Sequence, residues 1–257
     1  MDVSIVVPLY NEEESLHELC DWINRVLSSH KLSYELILVD DGSNDKSWEQ
    51  IEILKATFPQ IVGVKFRRNY GKSAALHTGF GVAQGEVVFT MDADLQNDPA
   101  DIPKLLALVD EGNDVVSGWR KHRKDNLLTR KIPSWIANCI ISWFTGVKLH
   151  DFGCTLKAYR REFLENISIY GEMHSLLPAY CVWQGAKIAE IAVTHNARKY
   201  GKSKYGISRT FKVLLDLLVL KFLLSYMTKP IYVFGGISIA SFVAGAGVFS
   251  FVVFRKL

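Results

Sequence analysis

Val87-Val-Phe-Thr-Met-Asp92-Ala-Asp94-Leu-Gln96 is the stretch on which the fold turns. A short β-branched and aromatic run that closes in acids reads as a buried strand ending in a polar turn. Three other runs have the same form. Val3 to Val7 closes in Pro8-Leu-Tyr-Asn-Glu-Glu13, Glu35 to Val39 in Asp40-Asp41-Gly42-Ser43, and Ile61 to Phe66 in a basic turn. Helical patterns separate them, over Glu13 to Ser29, Ser47 to Thr57 and Ser73 to Ala83, and Asp101 to Glu111 follows the fourth strand. The four runs read as parallel strands, and strand and helix in alternation predict an α/β fold, a doubly wound Rossmann-like sheet in a domain over residues 1–206. Ligands of such sheets bind beyond the carboxyl ends of the strands. Acids gather at those ends. Helix capping explains Asp45 and Asp101 well enough, but serves poorly for three acidic turns at equivalent topological positions.

Residues two apart in an extended segment face the same side, so Asp92 and Asp94 are expected to aim two carboxylates at one point, with the Gln96 oxygen next in line. Hard oxygen ligands beside a phosphate are how Mg²⁺ or Mn²⁺ is held. Other ligand classes lack their signatures. Gly79-Phe-Gly81 sits late in a helical pattern without the third glycine of a dinucleotide loop, and no G-x-x-x-x-G-K-[ST] occurs. His77, His122, His174 and His195 are scattered, without zinc spacing.

The whole chain, 257 residues with 49% hydrophobic and 22% charged, can bury a sizeable core. A net charge of +3 is too mild for a nucleic-acid partner. The cysteines at 20, 139, 154 and 181 show no CxxC spacing and read as reduced thiols. MDVSIVVPLYNEEE has no basic n-region and reads as a first strand, not a signal peptide. The far end differs in kind. Ile231 to Phe254 carries no charge over 24 residues, about 36 Å of helix, enough to span a bilayer. Before it, residues 207–229 mix apolar side chains with Arg209, Lys212, Lys221 and Lys229, the pattern of juxtamembrane amphipathic helices lying at a lipid surface. Arg255 and Lys256 follow the span. With the large domain on the cytoplasmic face, they require either a second span beyond this chain or a local exception to the charge rule.

In combination and order, these motifs resemble the family-2 glycosyltransferases of the GT-A fold, and within them the polyprenyl-phosphate sugar transferases: dolichyl-phosphate mannose synthases and bacterial undecaprenyl-phosphate relatives. The resemblance is carried by Pro8 to Glu13, Asp40 to Ser43, Arg68-Asn-Tyr-Gly-Lys72, Asp92 to Gln96 with Pro99, Ser117-Gly-Trp-Arg120, Asp151-Phe-Gly-Cys154 and His195-x-x-Arg198-x-Tyr-Gly-Lys-Ser-Lys204. Asp151-Phe-Gly-Cys154 with Arg160-Arg161 is most similar to the bacterial aminoarabinose transferases. The resemblance implies that Pro8, Tyr10, Glu12 and one or both of Asp40 and Asp41 hold the nucleoside, with Lys72 close by. It implies that Asp92, Asp94 and Gln96 hold Mg²⁺ or Mn²⁺ and the diphosphate. Arg120, Arg130 and Ser134 would receive the acceptor phosphate, supported by Arg198 and Lys202, and Asp151 would orient the acceptor groups or act as a base. A mobile loop over Tyr200 to Gly206 would close on the donor.

The chemistry agrees with those residue types. Such an enzyme brings together a nucleotide-sugar diphosphate and a lipid phosphate, whose charges repel by roughly 4 kcal/mol per pair at about 4 Å and an effective dielectric near 20. A metal and Arg guanidinium groups offset this. A phosphate monoester, with a second pKa near ~6, is already ionised and needs no base, so the expected reaction is a direct inverting displacement. A uridine donor such as UDP-glucose is expected, with a GDP-mannose-dependent dolichyl-phosphate mannose synthase as the alternative. A processive polysaccharide synthase is disfavoured by the lack of Q-x-x-R-W, and a catalytically silent nucleotide-sugar-binding scaffold by the intact Asp92, Asp94 and Arg120. Trp119, Trp135 and Trp143 either border the lipid path or pack internally. A sheet edge and surface helices beside a membrane lead to an expectation of self-association as a homo-oligomer.

Overall fold

The computed structural model describes residues 1–121, 132–165, 167, 169, 171–200, 215–217, 219, 222 and 230–256. It divides into two compact units, Met1–Asp216 and Leu217–Leu257. Of the expected juxtamembrane helices at 207–229, most lies outside the described residues, as do Arg130, Lys202 and the Tyr200–Gly206 loop beyond its first residue.

The first unit is built on a sheet whose described strands run in the order β3-β2-β1-β4-β6-β5-β7. The strands are β1 (Val3–Leu9), β2 (Tyr34–Asp40), β3 (Ile61–Lys65), β4 (Val87–Thr90), β5 (Val115–Trp119), β6 (Lys157–Arg160) and β7 (Ile188–Ala192). The helices between them are α1 (Leu16–Ser29), α2 (Ser47–Thr57), α3 (Lys72–Val82), α4 (Ile102–Asp110), α5 (Ile132–Thr145) and α6 (Leu177–Trp183). β1 is buried except at Pro8, and its two faces go to different layers. Val3, Ile5, Val7 and Leu9 pack with Leu16, Leu19, Ile23 and Leu27 of α1 and with Ile102, Leu105 and Val109 of α4. The opposite face meets α3, where Gly79 lets the helix backbone close onto Val6; a methyl group there would collide with the valine side chain. That close approach is the use of Gly79.

The four strands expected to be parallel, β1 to β4, are parallel, and the sheet as a whole is mixed. β6 lies antiparallel between β4 and β5, because the chain returns to the sheet through the Asp151–Thr155 loop at the carboxyl end of its neighbours and must run the other way. A correction concerns the acidic turn. β4 stops at Thr90, and Leu95 takes φ +61°, so Asp92 to Gln96 bends instead of alternating. The Gln96 amide turns back to donate to Asp94 Oδ1 at 3.1 Å.

β1 and β4 are neighbours, with Val6 opposite Thr90, while the chain proceeds from β1 outward through β2 to β3. The order therefore reverses between β1 and β4. This is the topological switch point, where loops on either side separate and leave a crevice.

The second unit contains α7 (Ile231–Lys256), whose stretch Phe234–Arg255 is long and apolar enough to cross a membrane and is unburied. Phe222 and Phe234 meet edge to face, ring centroids 5.8 Å apart.

Candidate active site

Two loops form one wall of the crevice and are stitched together. Asn11, in the left-handed region at φ 53°, donates its amide to Ser43 Oγ at 2.9 Å and accepts from the Asn44 amide at 2.8 Å. Asn tolerates that conformation because its short polar side chain bonds locally. The Glu12 amide reaches Ser47 Oγ at 2.9 Å, and Asp45 accepts from the Ser47 amide where α2 begins. Gly42, at φ +72°, lies against the backbone of Arg68 and Asn69 so closely that a Cβ has no room. The crossing brings the Arg68–Lys72 turn over the carboxyl end of β2.

Asp41 then accepts the amides of Tyr70 at 2.7 Å and Gly71 at 2.9 Å. Burial raises its pKa, with the two amides opposing the shift. Asp40 behaves differently. It is fully buried, accepts from the Ser43 amide at 2.9 Å, and its other oxygen has no hydrogen-bond partner among the described residues. Asp41, and not Asp40, borders the crevice.

The crevice has a volume of about 410 Å³ and gathers residues from distant parts of the chain: Pro8, Tyr10, Glu12, Asp41, Lys72, Asp92, Asp94 and Arg198 all line it. Arg198, expected to support the acceptor phosphate, lies 2.5 Å from Asp94 Oδ2 and 3.9 Å from Glu12 Oε1. Lys72, at the start of α3, bonds Asp92. Asn97, almost fully buried, pins the turn by accepting from the Asp92 amide at 3.2 Å and from Thr155 Oγ1 at 2.8 Å. The Asp94 carboxyl is pushed up to about 6, first by burial and then by Asp92, with Arg198 pulling it down.

Gly171, Glu172 and His174 also line the crevice, and sequence reasoning did not place them there. Ser73 Oγ lies 2.7 Å from Gly171 O and 2.8 Å from His174 Nδ1, so the first turn of α3 fixes that segment. No spacing in the sequence ties Ser73 to a turn a hundred residues downstream. Gln96, by contrast, is not among the lining residues.

Beside the crevice, Arg120 and Asp151 form a two-point ion pair. Arg120 Nε donates to Oδ2 at 2.7 Å and Nη2 donates to Oδ1 at 2.9 Å. Burial opposes the guanidinium charge, but the Asp151 bonds and charge outweigh it and raise the Arg120 pKa. Ser134 is half-buried on α5.

A divalent cation fits this donor set. Five carboxylates (Glu12, Asp41, Asp92, Asp94, Glu172) line the crevice against two fixed cations, Lys72 and Arg198, so a diphosphate entering alone would meet a surplus of like charge. Among the described residues there is no cluster of three or more His, Cys, Asp or Glu able to ligate a metal. Asp92 and Asp94 therefore suit the regime in which one or two protein carboxylates share the ion with substrate oxygens.

The model of glycosyl transferase family 2 matches residues 4–168. The chain belongs to that family. Among family members, it is 44% identical over 245 residues to the dodecaprenyl-phosphate galacturonate synthase of Rhizobium johnstonii, covering 93% of this chain and 72% of that protein. It is 40% identical over 250 residues to the undecaprenyl-phosphate 4-deoxy-4-formamido-L-arabinose transferase of Shewanella sediminis, covering 97% and 72%. The GT-A architecture is shared with solved structures. Glucosyl-3-phosphoglycerate synthase of Mycobacterium tuberculosis, with Mn²⁺ and UDP-glucose, superposes with TM-score 0.64 at 21% identity over 85% of this chain and 78% of that one. A mannosyltransferase of Pyrobaculum calidifontis, with GDP-mannose and Mn²⁺, gives 0.58 at 21% identity over 86% and 70%.

Proposed function

We propose that this family-2 glycosyltransferase moves a single sugar from a nucleotide donor, a uridine diphosphate sugar in our reading, to a polyprenyl phosphate, with inversion at the anomeric carbon. The observation that carries it is the pairing of two charge environments: an acidic crevice at the switch point and, beside it, a guanidinium held ready by a buried carboxylate. The relatives named for dodecaprenyl and undecaprenyl phosphate support the acceptor class.

In this mechanism Pro8, Tyr10 and Glu12 hold the nucleoside together with Asp41, while Lys72 contacts the diphosphate. Mg²⁺ or Mn²⁺ held by Asp92 and Asp94 would neutralise the departing diphosphate. Lys72 and Arg198, which lie on those carboxylates in the structure, turn to phosphate oxygens as the donor enters. Arg120 spends Nε and one edge of its fork on Asp151 and offers its remaining N–H groups to the acceptor phosphate. The nucleophile arrives ionised, so no residue has to take a proton. Asp151 accordingly serves as an orienter: both its oxygens bond Arg120, and Oδ1 also accepts the Gly153 amide at 3.1 Å.

Membrane attachment has two separate supports. One is α7. The other is on the catalytic unit, where Trp135 is 67% and Trp143 80% exposed on one stripe of α5, with Ile136 beside them. Exposed tryptophans at helical spacing suit an interface between water and lipid. We place the catalytic unit on the cytoplasmic face.

The test is transfer of label from a panel of UDP- and GDP-sugars to a short-chain polyprenyl phosphate by the full chain in detergent with Mn²⁺. A labelled lipid phosphate sugar from a UDP donor is expected. Hydrolysis of donors without lipid product, or labelling from GDP-mannose alone, contradicts the reading.

A further inference from the structure

β7 is an apolar edge strand, Ile188-Ala-Glu-Ile-Ala192, with one charge in its middle. Glu190 stands opposite Ser117 of β5, and its side chain is only 12% exposed. A carboxylate is costly to bury unless its lone pairs are taken up. Here they are. Oε1 accepts the backbone amides of His150 at 2.9 Å and Asp151 at 3.1 Å, and Oε2 lies 3.2 Å from the His150 amide and 2.6 Å from His150 Nδ1.

Two consecutive amides on one carboxylate fix the peptide plane between them, and with it the direction in which Asp151 leaves the backbone. The rest of the loop is held from other sides. Asn138 of α5 donates to His150 O at 2.7 Å and accepts from the Phe152 amide at 3.3 Å. Lys157 Nζ donates to Phe152 O at 2.9 Å and Cys154 O at 2.6 Å. The His150 ring stacks on Trp119, centroids 4.3 Å apart, and Trp119 immediately precedes Arg120. Among the described residues, the side-chain hydrogen bonds of Glu190 go to the loop that presents Asp151, and Glu190 is not one of the residues lining the crevice.

We propose that Glu190 is a positioning residue for Arg120, acting through the Asp151 backbone, so that the guanidinium meets an acceptor phosphate already oriented. The proposal rests on the acceptor role of Arg120 argued above. A carboxylate–guanidinium fork needs both contacts in register, and small errors in such alignment are costly. The backbone amides, not the His150 ring, are the part that matters.

Calorimetry on the full chain in detergent, with farnesyl phosphate as one probe and UDP with Mn²⁺ as the other, separates the two sites. In Glu190→Ala the farnesyl phosphate Kd is expected to rise roughly tenfold or more, and the UDP Kd to stay within about twofold. Glu190→Gln, whose oxygen keeps both amides, should return to within about threefold of wild type, and His150→Ala should behave likewise. A Glu190→Ala chain that binds farnesyl phosphate as wild type does, or that loses both ligands together, overturns the proposal. Phenylglyoxal labelling of Arg120, read by peptide mass spectrometry, needs no acceptor at all. Its rate should rise severalfold in Glu190→Ala and not in Glu190→Gln, in step with release of the fork. Unchanged Arg120 reactivity sinks the positioning role. A wild-type chain that binds no farnesyl phosphate yet shows this labelling pattern sinks the acceptor reading and leaves the positioning role standing.

Discussion

Arg198 sets a guanidinium nitrogen 2.5 Å from Asp94 Oδ2, across 104 residues of sequence. The segment following β7 thus sets a cation against a carboxyl that burial and then Asp92 push up to about 6, with Arg198 opposing the shift. Arg198 also reaches toward Glu12, so its removal leaves two carboxylates facing the donor. Arg198→Ala is expected to raise the donor KM about tenfold with a smaller change in kcat, the signature of lost binding in ground and transition states alike. Asp94→Asn should instead lower kcat by at least about tenfold, because the stabilised charge develops as the diphosphate departs. Steady-state kinetics of both variants check this, and a wild-type kcat in Asp94→Asn contradicts the assignment.

Removing one partner of the buried Arg120–Asp151 pair strands the other. Asp151 is 4% exposed, and breaking such a pair typically costs about 3–5 kcal/mol. Arg120→Ala should therefore lower the denaturation midpoint and lose transfer together. Arg120→Lys keeps a charge but not the fork, and is expected to recover part of the stability and little of the turnover. Urea titration beside the transfer assay distinguishes the two effects.

Much of this site was legible in the sequence because its residues follow strands. Pro8 to Glu12, Asp41 and the Asp92/Asp94 pair stand where periodicity ends, and a parallel α/β sheet makes such positions converge. Gln96 does not line the crevice, because Leu95 bends the chain where an extended segment would have kept Gln96 on the side of Asp92 and Asp94. Glu172 and His174 were missed since Ser73, not a strand end, brings them to the crevice. β6 was unreadable as a strand: Lys157-Ala-Tyr-Arg160 is short, and a lysine in it argues for a surface. That lysine is instead 3% exposed, with its ammonium spent on two carbonyls.

Lys157 gives a pH-dependent prediction. Burial lowers its pKa from 10.5 to about 8, so between those values the unfolded chain holds more protons than the folded one, and stability supplied by this group rises with pH. Below about 8 the folded state carries the buried charge at a cost. The stability difference between wild type and Lys157→Met should thus shift in favour of wild type as pH goes from about 8 to 10, measured by urea denaturation across that range. A difference independent of pH contradicts the assignment.

At Gly42, φ +72° and contact with the Arg68 backbone exclude any side chain. Gly42→Ala should cost about 1–3 kcal/mol and loosen the Asp41 contact with Tyr70 and Gly71, raising the donor KM. A stability within a few tenths of wild type, roughly the error of denaturant extrapolation, argues against that geometry.

Calorimetric titration of the full chain with UDP, with Mn²⁺ and then with EDTA, addresses the acidic crevice most directly. Binding is expected with Mn²⁺, to fall by about a hundredfold or more on chelation, and to be equally weak in Asp92→Asn and Asp94→Asn with the metal present. UDP bound as tightly in EDTA as in Mn²⁺, or undiminished in both variants, would show that the aspartates do not hold a cation for the diphosphate.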